Sequence, residues 1–335
     1  MTTRRKGPAV AGVTAVALAT LTAVGFTVSQ LSSADTSALA TVNPTIEPTT
    51  PRATSTAPPL GGEGEPALGA IPHIKDTTRV PMPLDSVLTP MSDIKLIDQA
   101  RDVAAADCMN ALGFKTWTAG TIRTWDPGEY REHDFFDYID PAVAAESGYP
   151  RQAEVKDVSS TFAGTKHEPT AEERKAYEGS ASKTAEGRTI PAGGCARHAD
   201  EKLYGQQKKL PADPRALAVA SRSRALGDSR VRAALASWQS CVRKAGVTAY
   251  QHPVTAQNDP KWQSRTQGTP ASDEEKRIAA LDAKCQDEVN LVGVYKAVRA
   301  AYEQRLLEEN QSKFAETKAI VDVWTKNAAA ILKSG

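Results

Sequence analysis

The feature that most constrains the fold of this 335-residue chain is a set of four cysteines in a repeated context: Cys108, Cys195, Cys241 and Cys285. The first and third cysteines are each followed, five residues later, by a glycine (Gly113 or Gly246) and then by an apolar residue. The second and fourth each follow a charged, Glu-rich stretch, which begins at Thr170 or Ser272. The pattern predicts a duplicated unit with one disulfide in each copy, folded outside the cytoplasm.

Four cysteines behind an export segment indicate two disulfides before they indicate a metal site. No C-x-x-C pair is present, so the spacing typical of zinc ligands is absent. Three pairings are open to four cysteines, and the duplicated context favours Cys108–Cys195 and Cys241–Cys285. Each bond would stabilise the fold by at most about 4 to 5 kcal/mol through the entropy of the unfolded chain.

The N-terminus carries the basic residues Arg4, Arg5 and Lys6, followed by an uncharged stretch from residue 7 to residue 34. A basic flank before an apolar stretch is typical of a segment inserted with its N-terminus in the cytoplasm. Two outcomes are open for residues 1–34. They are a signal peptide, cleaved after Ala34 or Ala40, or a single membrane anchor, because residues 8–28 match the ~20 residues that span a bilayer.

Residues 35–90 are rich in Pro, Thr, Ser, Ala and Gly, and they hold few apolar side chains with which to form a core. We expect this segment to be a disordered linker. Its ~60 residues would have a root-mean-square reach of about 40 Å if they behaved as a flexible coil. Such a tether would lift a folded domain away from a membrane and into a cell wall.

The charge balance gives no reason to expect a nucleic-acid partner. Of 41 basic and 40 acidic residues, three and one lie in the first 40 positions, which leaves 38 and 39 in the exported part. That part is therefore near −1, without the basic excess that attracts a phosphate backbone.

The remainder, residues 91–335, predicts an all-α, disulfide-stapled domain whose two copies would cover 91–210 and 211–333. The clearest helix boundaries are caps and glycine stops. Predicted helices begin after the N-caps Ser92, Asp140, Thr170 and Ser272. Others begin at Cys195 and at Asp213, the latter with a break near Gly227.

The C-terminal segment predicts one long helix. Ser272 and Glu275 form a capping-box pattern, and no proline follows up to residue 333. A helix of ~60 residues would run about 90 Å, and its only glycine, Gly293, is where we expect a bend or break. Its apolar stripe predicts a well-buried proximal half and a more weakly buried half after residues 308–311.

Catalytic signatures are absent from the sequence. Two S-x-x-K matches, at Ser92 and Ser180, lack the companion motifs of penicillin-recognising enzymes. There is no G-x-S-x-G, no H-E-x-x-H, no phosphate-binding glycine loop and no EF-hand loop. We therefore expect no enzyme activity, no cofactor and no bound metal.

Aromatic and acidic residues cluster between positions 115 and 139, and this cluster is the candidate ligand surface: Trp117, Trp125, Tyr130, Asp134, Phe135 and Asp137. An alternative makes Asp134 and Asp137 the acid and base of a cell-wall hydrolase. Trp238, three residues before Cys241, is expected to cover a disulfide, with sugar stacking as its alternative.

Several short motifs together resemble a group of exported or membrane-anchored actinomycete (Streptomyces-like) proteins with paired cysteines. They are Cys108-Met-x-x-x-Gly-Phe, Asp137-Tyr-Ile-Asp140, Gly193-Gly-Cys195, Trp238-x-x-Cys241-Val and Ala283-Lys-Cys285. The resemblance spans roughly residues 90–333. It implies an exported, mainly helical protein with paired cysteines, and it transfers no catalytic residue.

These observations predict an extracytoplasmic binding or interaction module at the cell envelope, either secreted or anchored by its N-terminal segment. Its partner would be an envelope protein or a wall polymer.

Overall fold

The computed structural model describes residue 62 and residues 64–122, 134–150, 167–265 and 268–334. Internal contacts divide the chain into Met1–Arg52 and Ala53–Gly335, and every described residue belongs to the second unit. Within these residues the structure has eleven α-helices and one 3-10 helix, and no strand. The all-α prediction is confirmed.

The 3-10 helix, Pro83–Val87, precedes the α-helices. The first six α-helices are α1 Met91–Ala111, α2 Pro141–Ser147, α3 Ala171–Glu178, α4 Gly194–Tyr204, α5 Pro214–Gly227 and α6 Ser229–Lys244. The remaining five are α7 Pro253–Gln257, α8 Pro260–Gln263, α9 Asp273–Glu288, α10 Leu291–Glu309 and α11 Gln311–Ser334.

Most of the predicted N-caps function as caps. The side chains of Asp140, Thr170 and Ser272 each accept a hydrogen bond from a backbone N–H of the first turn of α2, α3 or α9. Ser92 does not, because α1 begins at Met91 and follows Pro90 without a side-chain cap. A polar residue near an apolar run is therefore a weaker start signal than a cap followed by proline or by early acids.

The two Cys-x4-Gly contexts fold into the same helix stop. Gly113 and Gly246 have φ values of 101° and 83°, in the left-handed region that favours glycine. The next residue, Phe114 or Val247, donates its N–H to a carbonyl five residues earlier, at 3.0 Å in both cases. This is the Schellman arrangement, formed once in each copy.

Both predicted disulfides are present and no cysteine is free. The first, Cys108–Cys195, joins α1 to α4 with the Cα atoms 5.6 Å apart. The second, Cys241–Cys285, joins α6 to α9 at 5.7 Å. Each bond therefore lies within one predicted copy.

The copies do not form separate cores. Helix α2 lies in the first copy by sequence, but it packs on α9 of the second. Phe136, Ala144 and Tyr149 are buried with Trp238 in the largest core. In the opposite direction, α11 lies in the second copy by sequence and packs on α1 and α4 of the first. The boundary at residue 210 divides the sequence repeat and does not divide the packing.

The long C-terminal helix is three helices. The chain leaves helical geometry at Asn290, whose φ of 49° is left-handed, and again at Asn310. Gly293 does not cause either break, because it lies inside α10. Its role is a close approach: a Cβ at this position would lie 1.9 Å from the Pro72 carbonyl oxygen.

The predicted linker also differs from the structure. Residues 35–61 lie outside the described residues, but residues 64–90 pack against the helices. We call residues 64–76 the strap; its side chains Leu68 and Ile74 contact the largest core. Further along, Met82 and Leu84 are 5% and 1% exposed. A composition poor in apolar residues predicted disorder, yet a few well-placed side chains are enough to dock this segment.

The distal part of the C-terminal stripe is fully buried, so the prediction of weaker burial there was wrong. Phe314, Val321 and Trp324 are 6%, 5% and 2% exposed. Val321 and Trp324 share a core with Ile97 of α1 and Leu203 of α4. Helix α11 is thus a structural element of the first copy.

Val321→Ala is expected to lower the free energy of unfolding by about 1 to 3 kcal/mol, because it removes two buried methyl groups from this core. Val323, on the same helix, is 54% exposed, and Val323→Ala should change stability by less than about 0.5 kcal/mol. Urea unfolding of both variants, with sedimentation to establish the monomer, measures the difference. Equal losses would contradict the assignment of α11 to the core.

Candidate functional site

The candidate ligand surface predicted from the sequence is largely interior. Trp125 and Tyr130 lie outside the described residues. Trp117 is fully buried, and its ring stacks on Tyr177 at 5.2 Å. It belongs to the core that contains both cysteines of the first disulfide. Trp117 follows the helix stop at Gly113 and packs into this core. Its ring has no exposed surface that a ligand could contact, so the prediction of a ligand role was wrong.

Asp134 is also buried, and it is the end of a charged cluster on one face of α10. We call Asp134, Tyr295, Lys296, Arg299 and Glu303 the Asp134 cluster. Asp134 Oδ2 lies 2.8 Å from Lys296 Nζ and 2.5 Å from Arg299 Nη1, and its Oδ1 accepts the Tyr295 hydroxyl. Its side chain is 3% exposed. The spacing of the four helical residues places them on neighbouring turns of one face.

Glu303 is the other end of the Asp134 cluster and is fully buried. Its Oε1 accepts from Arg299 Nε at 2.8 Å and from Ser221 Oγ of α5 at 3.1 Å. Its Oε2 accepts the backbone N–H of Leu84, in the 3-10 helix, at 3.2 Å. One carboxylate therefore joins three elements that are distant in sequence.

Electrostatics favour the ionised form of Asp134. Burial by itself raises the pKa of Asp134, but the charges of Arg299 and Lys296 and the hydrogen bond from Lys296 lower it below the ordinary value overall. A general acid needs a raised pKa in order to hold its proton near neutral pH. Asp134 therefore does not fit the acid role in the hydrolase alternative.

Phe135 and Asp137 flank this interior residue. Phe135 is half-buried, and its ring meets the Tyr295 ring edge-on with the centroids 6.5 Å apart. Asp137 accepts from Lys296 Nζ at 2.8 Å, but its side chain is 56% exposed. Of the predicted ligand residues that the structure describes, the Trp117 and Asp134 side chains are buried, Phe135 is half-buried, and Asp137 is exposed.

A surface site does form around Asp137, from residues that sequence reasoning had not brought together. The Tyr138 patch consists of half-buried Tyr138 with Asp76, Asp137, Asp140 and Asp287. Burial raises the pKa of the Tyr138 phenol, and the charges of Asp140, Asp287 and Asp76 raise it further. These three carboxylates are therefore within electrostatic reach of the ring.

The patch is assembled from three segments of the chain. Asp76 ends the strap, Asp137 and Asp140 precede α2, and Asp287 closes α9. Asp287 Oδ1 is 2.7 Å from His73 Nε2, and both side chains are partly exposed. The patch was missed because Asp76 lay in the predicted linker and Asp287 in a predicted continuous helix. No local signal joins them.

A second buried carboxyl group lies in the largest core. Asp282 accepts from Trp238 Nε1 at 2.9 Å, Tyr149 Oη at 3.0 Å and Gln286 Nε2 at 2.9 Å. Burial raises its pKa to about 6. Trp238 is 1% exposed, which leaves no face for sugar stacking. A small pocket beside these residues has space for about one water molecule.

Within the described ranges, no group of three or more His, Cys, Asp or Glu side chains is arranged to hold a metal ion. In the same part of the chain no helix is both long enough and apolar enough to cross a bilayer. The anchor expected at residues 8–28 lies outside it. Comparisons with protein-family models, curated proteins and solved structures gave no match, so the site is interpreted from its own geometry.

Asp134→Asn is expected to lower the free energy of unfolding by about 3 kcal/mol or more, because it leaves buried Arg299 with one carboxylate fewer. The control, Asp137→Asn, removes an exposed partner of Lys296 and should cost less than about 1 kcal/mol. Chemical denaturation of both variants at neutral pH makes the comparison. A control as destabilised as Asp134→Asn would mean that burial of the cluster does not determine its energy.

The raised pKa of Asp282 predicts a pH dependence of the free energy of unfolding. Its folded pKa of about 6 lies above the unfolded value near 4, so the folded state holds the extra proton between these limits. Its contribution to stability is full below pH ~4 and is lost as the pH rises through ~6. Asp282→Asn should therefore be most damaging at pH 4, and its deficit should shrink by up to about 3 kcal/mol by pH 7.

The measurement is the stability difference between Asp282→Asn and the wild type at each pH, so that other titrating groups cancel. Asp322→Asn, at a 62% exposed side chain on α11, is the control and should give a nearly flat difference. A difference for Asp282→Asn that is also flat would show that this carboxyl group does not titrate between pH 4 and 7 in the folded protein.

Proposed function

We propose that this protein is an extracytoplasmic interaction module of the cell envelope and that the Tyr138 patch is its contact surface. The observation that carries the proposal is the convergence of one partly exposed aromatic ring with three carboxylates, Asp76, Asp140 and Asp287, from three chain segments. Exposed Asp137 is the neighbour of this ring in the sequence. Tyrosine is among the residues enriched in protein interfaces and in their hot spots.

The location rests on the disulfides and on the predicted export segment. Two disulfides and no free cysteine suit an oxidising compartment, because thiols in the cytoplasm are kept reduced. The basic N-terminal flank and the apolar stretch before residue 34 are consistent with export. Whether the segment is cleaved or kept as an anchor, the described domain would lie outside the membrane.

The charge of the patch selects the partner. Lys296 offsets Asp137, but the carboxylates of the patch outnumber this cation. A basic segment of another envelope protein is complementary, and a Lys or Arg side chain can also lie over the Tyr138 ring. An anionic wall polymer or a nucleic acid would be repelled, so a protein partner is favoured over a wall polymer.

The alternative, a wall-acting hydrolase with Asp134 and Asp137 as its acid and base, has no supporting geometry. Asp134 is held between Lys296 and Arg299, and its pKa is lowered. Asp137 shares Lys296 with it. The pair acts as a structural anchor for α10 and not as an acid–base pair.

Photo-crosslinking at the surface of intact cells tests the proposal with two matched positions. Val143 and Val323 are 57% and 54% exposed, but only Val143, on α2, adjoins the Tyr138 patch. A photoreactive residue at 143 should give a discrete protein adduct, weakened several-fold by high salt or by Asp137→Asn with Asp287→Asn. The same residue at 323 should give none. Adducts at neither position, or equally at both, would contradict the proposal.

A further inference from the structure

The strap is bound as an extended peptide is bound, through its own backbone carbonyls. Arg305 of α10 donates to Gly64 O at 2.7 Å, Arg230 of α6 to Pro66 O at 2.8 Å, and Asn290 to Pro72 O at 3.0 Å. The donors are side chains from α6, from α10 and from the junction of α9 and α10. They recognise the main chain and so tolerate varied side chains between the contacts.

One strap side chain is also recognised. The carboxylate of Glu65 accepts from both Ser229 N and Ser229 Oγ at 2.7 Å, at the first residue of α6. A helix N-terminus presents free N–H groups and a partial positive charge to an anion. These hydrogen bonds hold the pKa of Glu65 below its ordinary value, although burial acts in the opposite direction.

On the receptor side, the main donor is held by a partner outside the strap. Arg230 is 4% exposed, and its Nε and Nη2 are held by Asp228 at 2.8 and 2.7 Å, which directs Nη1 towards the Pro66 carbonyl. At the other end, Gly293 has no side chain where the Pro72 carbonyl passes. Leu68 lies against the core between these two ends. We call this face of α6, α9 and α10 the strap groove.

The chain that connects the strap to the 3-10 helix lies on the surface. Every residue from 67 to 81 is exposed or half-exposed, whereas Pro66 before this stretch and Met82 after it are buried. From residue 82 onward the chain is fixed by Leu84, whose N–H binds Glu303. Residues 77–81 are therefore a surface hinge between the strap and the 3-10 helix. Within the hinge, Arg79 pairs with Asp85 at 2.8 Å, and the Arg79 side chain is 61% exposed.

We propose that the strap groove binds the strap of a second copy of this chain, so that two copies exchange straps reciprocally. The exchanged strap makes every contact of the strap described above, because none of them involves the hinge, and only the path of residues 77–81 differs. This occupant carries the acidic residue, the proline and the apolar residue that the groove fits. Chains held side by side on a surface would also have a high effective concentration of straps.

A hinge deletion tests the exchange in the purified full chain. Removing Thr77, Thr78 and Arg79 shortens the reach of the strap by roughly 10 Å, which disfavours its own groove but not that of a neighbour. Sedimentation equilibrium should show dimerisation at least tenfold tighter than that of the wild type. Glu65→Ala with Leu68→Ala in the same deletion removes the strap contacts and should restore the monomer.

A labelled synthetic peptide of residues 62–76 gives a second readout that does not depend on the hinge variant. It should bind the full-length Glu65→Ala, Leu68→Ala chain, whose own strap is weakened, at least tenfold more tightly than the wild type, and it should dissociate the dimer of the deletion variant. A deletion variant that is folded by circular dichroism but monomeric at high concentration would overturn the proposal. Absence of peptide binding to the double variant would also overturn it.

Neither result depends on the Tyr138 patch or on an envelope partner, since both experiments use the purified chain alone. Failure of strap exchange would leave the crosslinking result at Val143 unaffected, and the reverse is also true.

Discussion

The structure depends on the buried charged groups of the Asp134 cluster along α10. Removing Arg299, Glu303 and Asp134 from water costs several kcal/mol for each ion, and this cost is offset only where every partner is in place. Arg299 joins both carboxylates, while Glu303 also accepts from Ser221 and from the backbone of Leu84. The Asp134 cluster thus requires α5, the 3-10 helix and the segment before α2 to be docked on α10 at the same time. Such a requirement favours one arrangement of these elements over the alternatives.

The disulfides and the Asp134 cluster stabilise the fold by linking different elements. Each disulfide closes a loop inside one sequence copy, so neither holds the copies together. That connection is made by two crossing elements, α2 against α9 and α11 against α1 and α4. The Asp134 cluster lies beside the contact of α2 with α9, since Asp134 is in the segment that leads into α2. The predicted duplication would account for the repeated helix stops, whereas the packing of α2 and α11 on helices of the other predicted copy prevents the copies from forming separate cores.

Local sequence signals predicted helix starts and stops well, but they could not predict contacts between residues distant in the sequence. The caps at Asp140 and Thr170 and the stops at Gly113 and Gly246 depend on residues within one turn, which the sequence displays directly. The cysteine pairing followed from repetition. In contrast, Trp117 and Asp134 were placed on a surface because their partners, Tyr177 and Arg299, are about 60 and 165 residues away. Composition could not show that the strap has a receptor, since the receptor is formed by α6 and α10.

Burial decides which polar residues remain for function. Asp134, Glu303, Asp282 and Arg230 are each held by partners inside the fold, so a ligand that engaged them would have to replace those partners. The carboxylates of the Tyr138 patch stay at least partly exposed, so a cationic partner could reach them. The strap contributes Asp76 to that patch while Glu65 holds its other end in the groove. Undocking the strap would therefore remove a carboxylate from the patch. If the patch binds a cationic partner as proposed, occupancy of the strap groove and affinity for that partner would be thermodynamically linked.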